Sequence, residues 1–238
     1  MVPNKERRNM ELSERIERLD RHIENGTLCR GAWDTEEGEV CMLGALAPEV
    51  LVFGSVLRTR RVPTEVMPWW LADLVPVIND YGSPLRFEAV CRRFSAIMRR
   101  TPALTPALWD RVEHANLIMM LEVLMHESRL PREQRLILED VCDHLRGAAT
   151  TRPPAQIWER FEAAETAFKD VKADTESKRL WALCRRTRGG DKSEARFRLR
   201  GELDFWRPTA GYAMMIDRLT DELFNSLEEA CDLAEGRG

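Results

Sequence analysis

Six cysteines and four histidines are the side chains of this 238-residue chain best suited to metal binding or covalent chemistry. Their spacing is the first test. A zinc site draws on close Cys/His pairs, and a protease-type zinc helix on H-E-x-x-H. Neither C-x-x-C nor H-E-x-x-H occurs here. Cys142-Asp143-His144 is the one close Cys/His pair. On a helix, positions i and i+2 point roughly 200° apart, so these two cannot share an ion. Cys29 and Cys41 flank a short glycine-containing segment. In the simplest hairpin register Cys41 lies opposite Ala32 and Cys29 opposite Gly44, which sends the two thiols to opposite faces. The expectation is no metal and no cofactor, with the cysteines acting as small buried hydrophobes.

Nucleophilic catalysis needs a Ser or Cys beside a His that an acid orients. No G-x-S-x-G elbow is present, and none of His22, His114, His126 and His144 sits in a glycine-rich turn. The acidic pairs Glu139-Asp140 and Glu228-Glu229 read as solvated helix faces. Gly189-Gly190-Asp191-Lys192-Ser193 lacks the spacing of a phosphate loop and places a carboxylate where phosphate would sit. The residues offer no catalytic set. An enzyme assembled from distant helices is the third reading of function.

Arginine is the stronger signal. Clusters fall at Arg58, Arg60 and Arg61, at Arg92-Arg93 with Arg99-Arg100, and along Lys178, Arg179, Arg185, Arg186, Arg188, Arg196, Arg198 and Arg200. Residues 178–200 hold seven Arg and two Lys against Asp191 and Glu194. A planar guanidinium grips phosphate or carboxylate with two parallel hydrogen bonds. That segment suits a nucleic-acid backbone or an acidic protein surface. The competing reading pairs these arginines with the chain's 40 acidic residues. Trp69 and Trp70, adjacent on a first helical turn, project about 100° apart. They complete the candidate binding set, one facing the core and one a partner.

Composition sets the class. The chain is 44% hydrophobic and 32% charged, as in a globular protein, with a net charge of -4. An acidic average argues against coating nucleic acid or an anionic membrane over the whole surface. Scattered cysteines, a charged beginning and a longest apolar run of nine residues with a glutamate inside (Leu117–Met125) point to a reduced, cytoplasmic protein without a membrane span.

The elements that must position these residues are mostly helical. Leu12, Ile16, Leu19 and Ile23 recur at helical spacing, and Asn25-Gly26 ends that helix. Proline then marks helix starts at Pro68, Pro84, Pro106, Pro131 and Pro153-Pro154, with Ser83 and Thr105 as caps. Helices are expected over 10–24, 43–53, 68–80 with a kink or break at Pro76, 84–100, 106–127, 131–146, 153–172, 176–187, 193–206 and 211–234. Residues 26–46 are the compact exception, read as a short β-hairpin about the turn Thr35–Gly38, with Trp33 paired to Val40. The fold class is therefore mainly α: a two-lobed helical bundle with one short β-hairpin near the N-terminus. The lobes are 1–147, holding a buried central helix at 106–127, and 153–238. The Gly147–Pro154 stretch of small residues and proline lies between them.

The segment G-A-W-D-T-E-E-G-E-V-C-M-L-G-A-L, followed by Pro68-Trp69-Trp70-Leu71-Ala72-Asp73-Leu74, resembles a G-x-W…G-x-x-C-x-x-G-A pattern in small uncharacterised bacterial and phage proteins. The resemblance covers the first third of the chain and carries over no functional residue. It implies an accessory or mobile-element protein. The function expected is a non-catalytic intracellular binding protein that inhibits or regulates a host macromolecular complex. The alternative is direct nucleic-acid binding through residues 178–200.

Overall fold

The computed structural model describes residues 10–31, 35–48, 65–127, 131–147, 154–170 and 211–237, with the side chains of some helical residues, Trp69 and His126 among them, left out. The expected helices at 176–187 and 193–206 lie outside these residues. What is described is mainly helical. Eight α-helices follow in order: α1 Leu12–Glu24, α2 Met42–Leu46, α3 Trp69–Tyr81, α4 Phe87–Arg100, α5 Pro106–Glu127, α6 Arg132–Leu145, α7 Pro154–Asp170 and α8 Tyr212–Ala234. Short 3-10 turns at Pro84–Arg86 and Thr101–Ala103 bracket α4.

The chain forms two compact units, one of residues 1–109 with 227–238, the other of residues 110–226. The break expected at Gly147–Pro154 therefore falls inside the second unit, where α6 and α7, on either side of it, pack on each other. Helices α5 and α8 each run from one unit into the other.

In the first unit, α1 starts with a reciprocal capping box between Glu11 and Glu14. It stops where Gly26 takes φ +63°, which lets the Thr27 N–H reach the His22 carbonyl at 2.9 Å. The face Ile16, Leu19 and Ile23 is buried, and α1 packs on α2 and α4. Helix α4 answers with Val90, Cys91, Phe94, Ile97 and Met98. Helix α2 is buried at all five positions. Helix α3 runs through Pro76 without interruption; buried Leu71 and Val75 before it and buried Val77 and Ile78 after it anchor the helix on both sides of the missing N–H.

In the second unit, Ile118, Leu121 and Met125 are buried on α5, Ile137, Leu138 and Val141 on α6, and Ile157 and Phe161 on α7. On α8 the expected face is buried throughout: Tyr212, Ile216, Leu219 and Leu223 in this unit, Leu227 and Ala230 in the first. Thr105 caps α5 by accepting the Leu108 N–H at 3.3 Å.

The expected hairpin is replaced. Among the described residues no strand forms; the β structure is one isolated bridge between Leu28 and Val40, and it is parallel. The Cys29 N–H donates to Val40 O at 2.9 Å, and the Val40 N–H to Thr27 O at 3.1 Å. The turn at Thr35–Gly38 does form, with Gly38 at φ +83° and its N–H on Thr35 O at 3.0 Å. Gly31, at φ +76°, adds a second bend in the left-handed region, which glycine takes without strain. The proposed Trp33 pairing lies outside the described residues.

Phe94 is fully buried on α4 and Leu85 is 97% exposed. Phe94→Ala is expected to lower stability by about 3–5 kcal/mol, and Leu85→Ser to change it by less than about 0.5 kcal/mol, both read by urea unfolding.

Candidate functional site

The densest polar arrangement in the first unit joins the 27–42 segment to the end of α3. Asn79 is fully buried. Its Nδ2 donates to Cys29 O at 3.1 Å and to Asp80 Oδ1 at 2.7 Å, and its Oδ1 accepts the Met42 N–H at 3.2 Å. Asp80 Oδ1 also accepts the Gly31 N–H at 2.9 Å. Arg30 reaches back across the helix end. Its Nε donates to Asn79 O at 3.0 Å, and its Nη2 to Asp80 O at 3.1 Å and to Gly82 O. Carbonyls at a helix C-terminus carry partial negative charge, so a cation fits there. The same guanidinium lies 5.6 Å from the centre of the Phe87 ring. These groups hold backbone to backbone; their donors and acceptors are aimed at the protein itself.

Sequence reasoning passed over Asn79, Asp80 and Arg30. The available signal was a lone Asn following Leu74, Val75, Val77 and Ile78, an amide placed where the helix is otherwise apolar.

The two thiols at this joint are also rearranged relative to expectation. The parallel bridge pairs Leu28 with Val40, the residues just before Cys29 and Cys41, so the antiparallel register that set Cys29 opposite Gly44 does not form. Both are buried, at 8% and 4% exposure. Cys41 caps α2, its Sγ accepting the Gly44 N–H at 3.2 Å. Burial pushes its thiol up to about 11. Among the described residues no group of three or more His, Cys, Asp or Glu side chains is arranged to hold a metal ion.

Of the histidines, His22 Nδ1 meets Thr27 Oγ1 at 2.8 Å at the end of α1. In the second unit His114 Nε2 lies 2.9 Å from Leu145 O, and His144 meets Trp158 edge-on at 5.9 Å between ring centres. The acidic pairs read as solvated faces prove to hold arginines: Asp140 takes Arg160 at 2.7 Å and Glu228 takes Arg93.

The arginine cluster of α4 lies within the described residues, and every member is held by carboxylate. Arg92 bonds Glu88 at 2.7 Å within the helix. Arg93 grips Glu228 with two bonds, 2.9 and 2.7 Å. Hydrogen bonding from Arg93, with the charges of Arg93 and Arg100, holds the Glu228 carboxyl below its usual range. Arg99 pairs with Asp20, which also takes the Ser95 hydroxyl. Arg100 pairs with Asp232 and, at 3.0 Å, with Glu235.

Trp70 is buried, 4% exposed, and packs edge-to-face on Trp109 with ring centres 6.2 Å apart. It is a core residue of the first unit. The Trp69 side chain, Arg58, Arg60 and Arg61, and the whole set Lys178, Arg179, Arg185, Arg186, Arg188, Arg196, Arg198 and Arg200 lie outside the described residues. The chain matches no protein-family model, no curated protein and no solved structure.

Two outcomes follow. Asn79→Ala strands the buried Met42 N–H and Cys29 carbonyl and is expected to cost about 3 kcal/mol in denaturant unfolding. For His22, burial and then Arg18 and Arg21 hold the folded pKa below 6.5. The unfolded chain therefore takes up the proton first as pH falls. Stability is full above 6.5 and declines below it until the folded histidine also protonates. His22→Gln should flatten that decline in a pH series of urea midpoints.

Proposed function

We propose that the chain is a non-catalytic binding protein. On this reading it works in the cytoplasm as a phage- or mobile-element-type accessory factor that inhibits or regulates a host macromolecular complex by binding a protein. The observation that carries this reading is the use made of the α4 arginines. Each is neutralised by a carboxylate of α1, α4 or the 227–238 segment, so this cluster is not presented to phosphate. With a net charge of -4, the average surface favours a basic partner. The resemblance of the first third to small bacterial and phage proteins supports the accessory role. No helix among the described residues is long and apolar enough to cross a membrane.

Residues 178–200 favour a second reading, direct contact with nucleic acid. Nine basic against two acidic side chains is a local excess in an acidic chain.

The two readings separate in one capture experiment from host lysate with and without nuclease. A protein-binding factor retains its partner after nuclease digestion. Loss of every partner on digestion supports the second reading. In that case affinity should fall steeply with salt, and replacing Arg185, Arg186 and Arg188 by Gln should abolish binding.

A further inference from the structure

The parallel bridge pairs Leu28 with Val40, the residues just before two thiols that lie twelve positions apart in the chain. In a parallel pair, residues in register stand side by side with side chains on the same face, and neighbouring strands are about 4.8 Å apart. With Leu28 beside Val40, the next residues on each side are Cys29 and Cys41, and Cys41 has extended backbone, φ -73° and ψ 166°. A disulfide accepts Cα separations of about 4.4–6.8 Å. Just past the bridge the Asn79 amide sits between the two segments, holding the Cys29 carbonyl and the N–H of Met42, the residue after Cys41. The two thiols also sense each other: Cys29 is among the groups that raise Cys41.

We propose that Cys29 and Cys41 are an oxidisable thiol pair that closes to a disulfide with a small hydroperoxide, tying the segment before the Thr35–Gly38 turn to the start of α2. Cys29 is the more exposed of the two, at 8% against 4%, and reacts first. Its sulfur, giving up the thiol proton, attacks a peroxide oxygen; the O–O bond breaks, and the leaving hydroxide takes that proton as one water, leaving a sulfenic acid. The Cys41 sulfur then attacks the Cys29 sulfur. The S–S bond forms, the S–O bond breaks, and the hydroxyl leaves as a second water with the Cys41 proton. Two thiols lose two electrons and hydrogen peroxide gains them. A small uncharged oxidant suits a site this closed, which bulky disulfides would enter poorly. The inference is independent of the partner proposed above.

The test uses the full chain treated with hydrogen peroxide. Remaining thiols are then alkylated under denaturing conditions and the tryptic digest is mapped without reductant. Arg30 lies between the two cysteines, so trypsin separates them unless they are bonded. The expected result is one cross-linked species joining the Cys29 and Cys41 peptides. Its mass is about 2 Da below the sum of the thiol peptides, and dithiothreitol reverses it. It should form before Cys91 and Cys231, both fully buried in helices, are consumed. Cys29→Ser should abolish the species and Cys91→Ser leave it intact. The proposal is overturned if both cysteines of the wild-type chain are recovered as thiols at doses that consume Cys91. It is equally overturned if Cys29 advances to the sulfinic acid with Cys41 unlinked, or if either cysteine bonds elsewhere.

Discussion

An amide side chain cut off from water must find its hydrogen-bond partners inside the protein, and Asn79 finds them on two separate stretches of backbone and on the carboxylate of its neighbour Asp80. Its amide nitrogen serves Cys29 and Asp80, and its oxygen serves Met42. Each partner lost at such a site leaves a buried polar group costing about 1–3 kcal/mol. The fold of the 27–42 segment follows from this constraint. Cys29 and Met42 are brought to one point, and the Leu28–Val40 bridge forms beside it. Arg30 completes the joint by neutralising the carbonyl end of α3 while resting against Phe87 at the start of α4.

Helix α4 is the second organising element of this unit. Its apolar face carries Phe94, Ile97 and Met98, and this burial dominates its stability. Its arginines contribute less, since partly exposed ion pairs are each worth about 0–1 kcal/mol. Their value is geometric. Arg93 and Arg100 hold the 228–235 stretch along α4, and Arg99 with Ser95 fixes α1 through Asp20. A cluster that looks like a phosphate-binding patch in the linear chain is, in the fold, the set of ties that assembles a helical unit.

Much of this was legible in the chain. The 3.6-residue period of α1, α4 and α8, the Gly26 stop and the Thr105 cap depend on neighbours within a few residues, and they appear as expected. What failed to show depends on distant partners. Arg93 and Glu228 are 135 positions apart, and Arg30 is 49 from Asn79. The register at Leu28 and Val40 depends on distant groups in the same way: a four-residue turn suggests antiparallel strands, and the segment instead forms one parallel bridge beside the Asn79 anchor. The register that sent the two thiols to opposite faces therefore does not form. Of the candidate binding residues, Trp70 serves the core; Arg58, Arg60, Arg61 and the 178–200 basic residues lie outside the described part, so the binding surface rests on charge pattern alone.

The segment carrying Cys29 and Cys41 is a structural joint welded to α3 by a buried amide. Native-state hydrogen exchange tests it most directly. The Met42 amide, bonded to Asn79 Oδ1, and the Cys29 amide, bonded to Val40 O, should open only with the same free energy as the core amides of α3. Exchange at Met42 and Cys29 that is orders of magnitude faster, with α3 still protected, would contradict it.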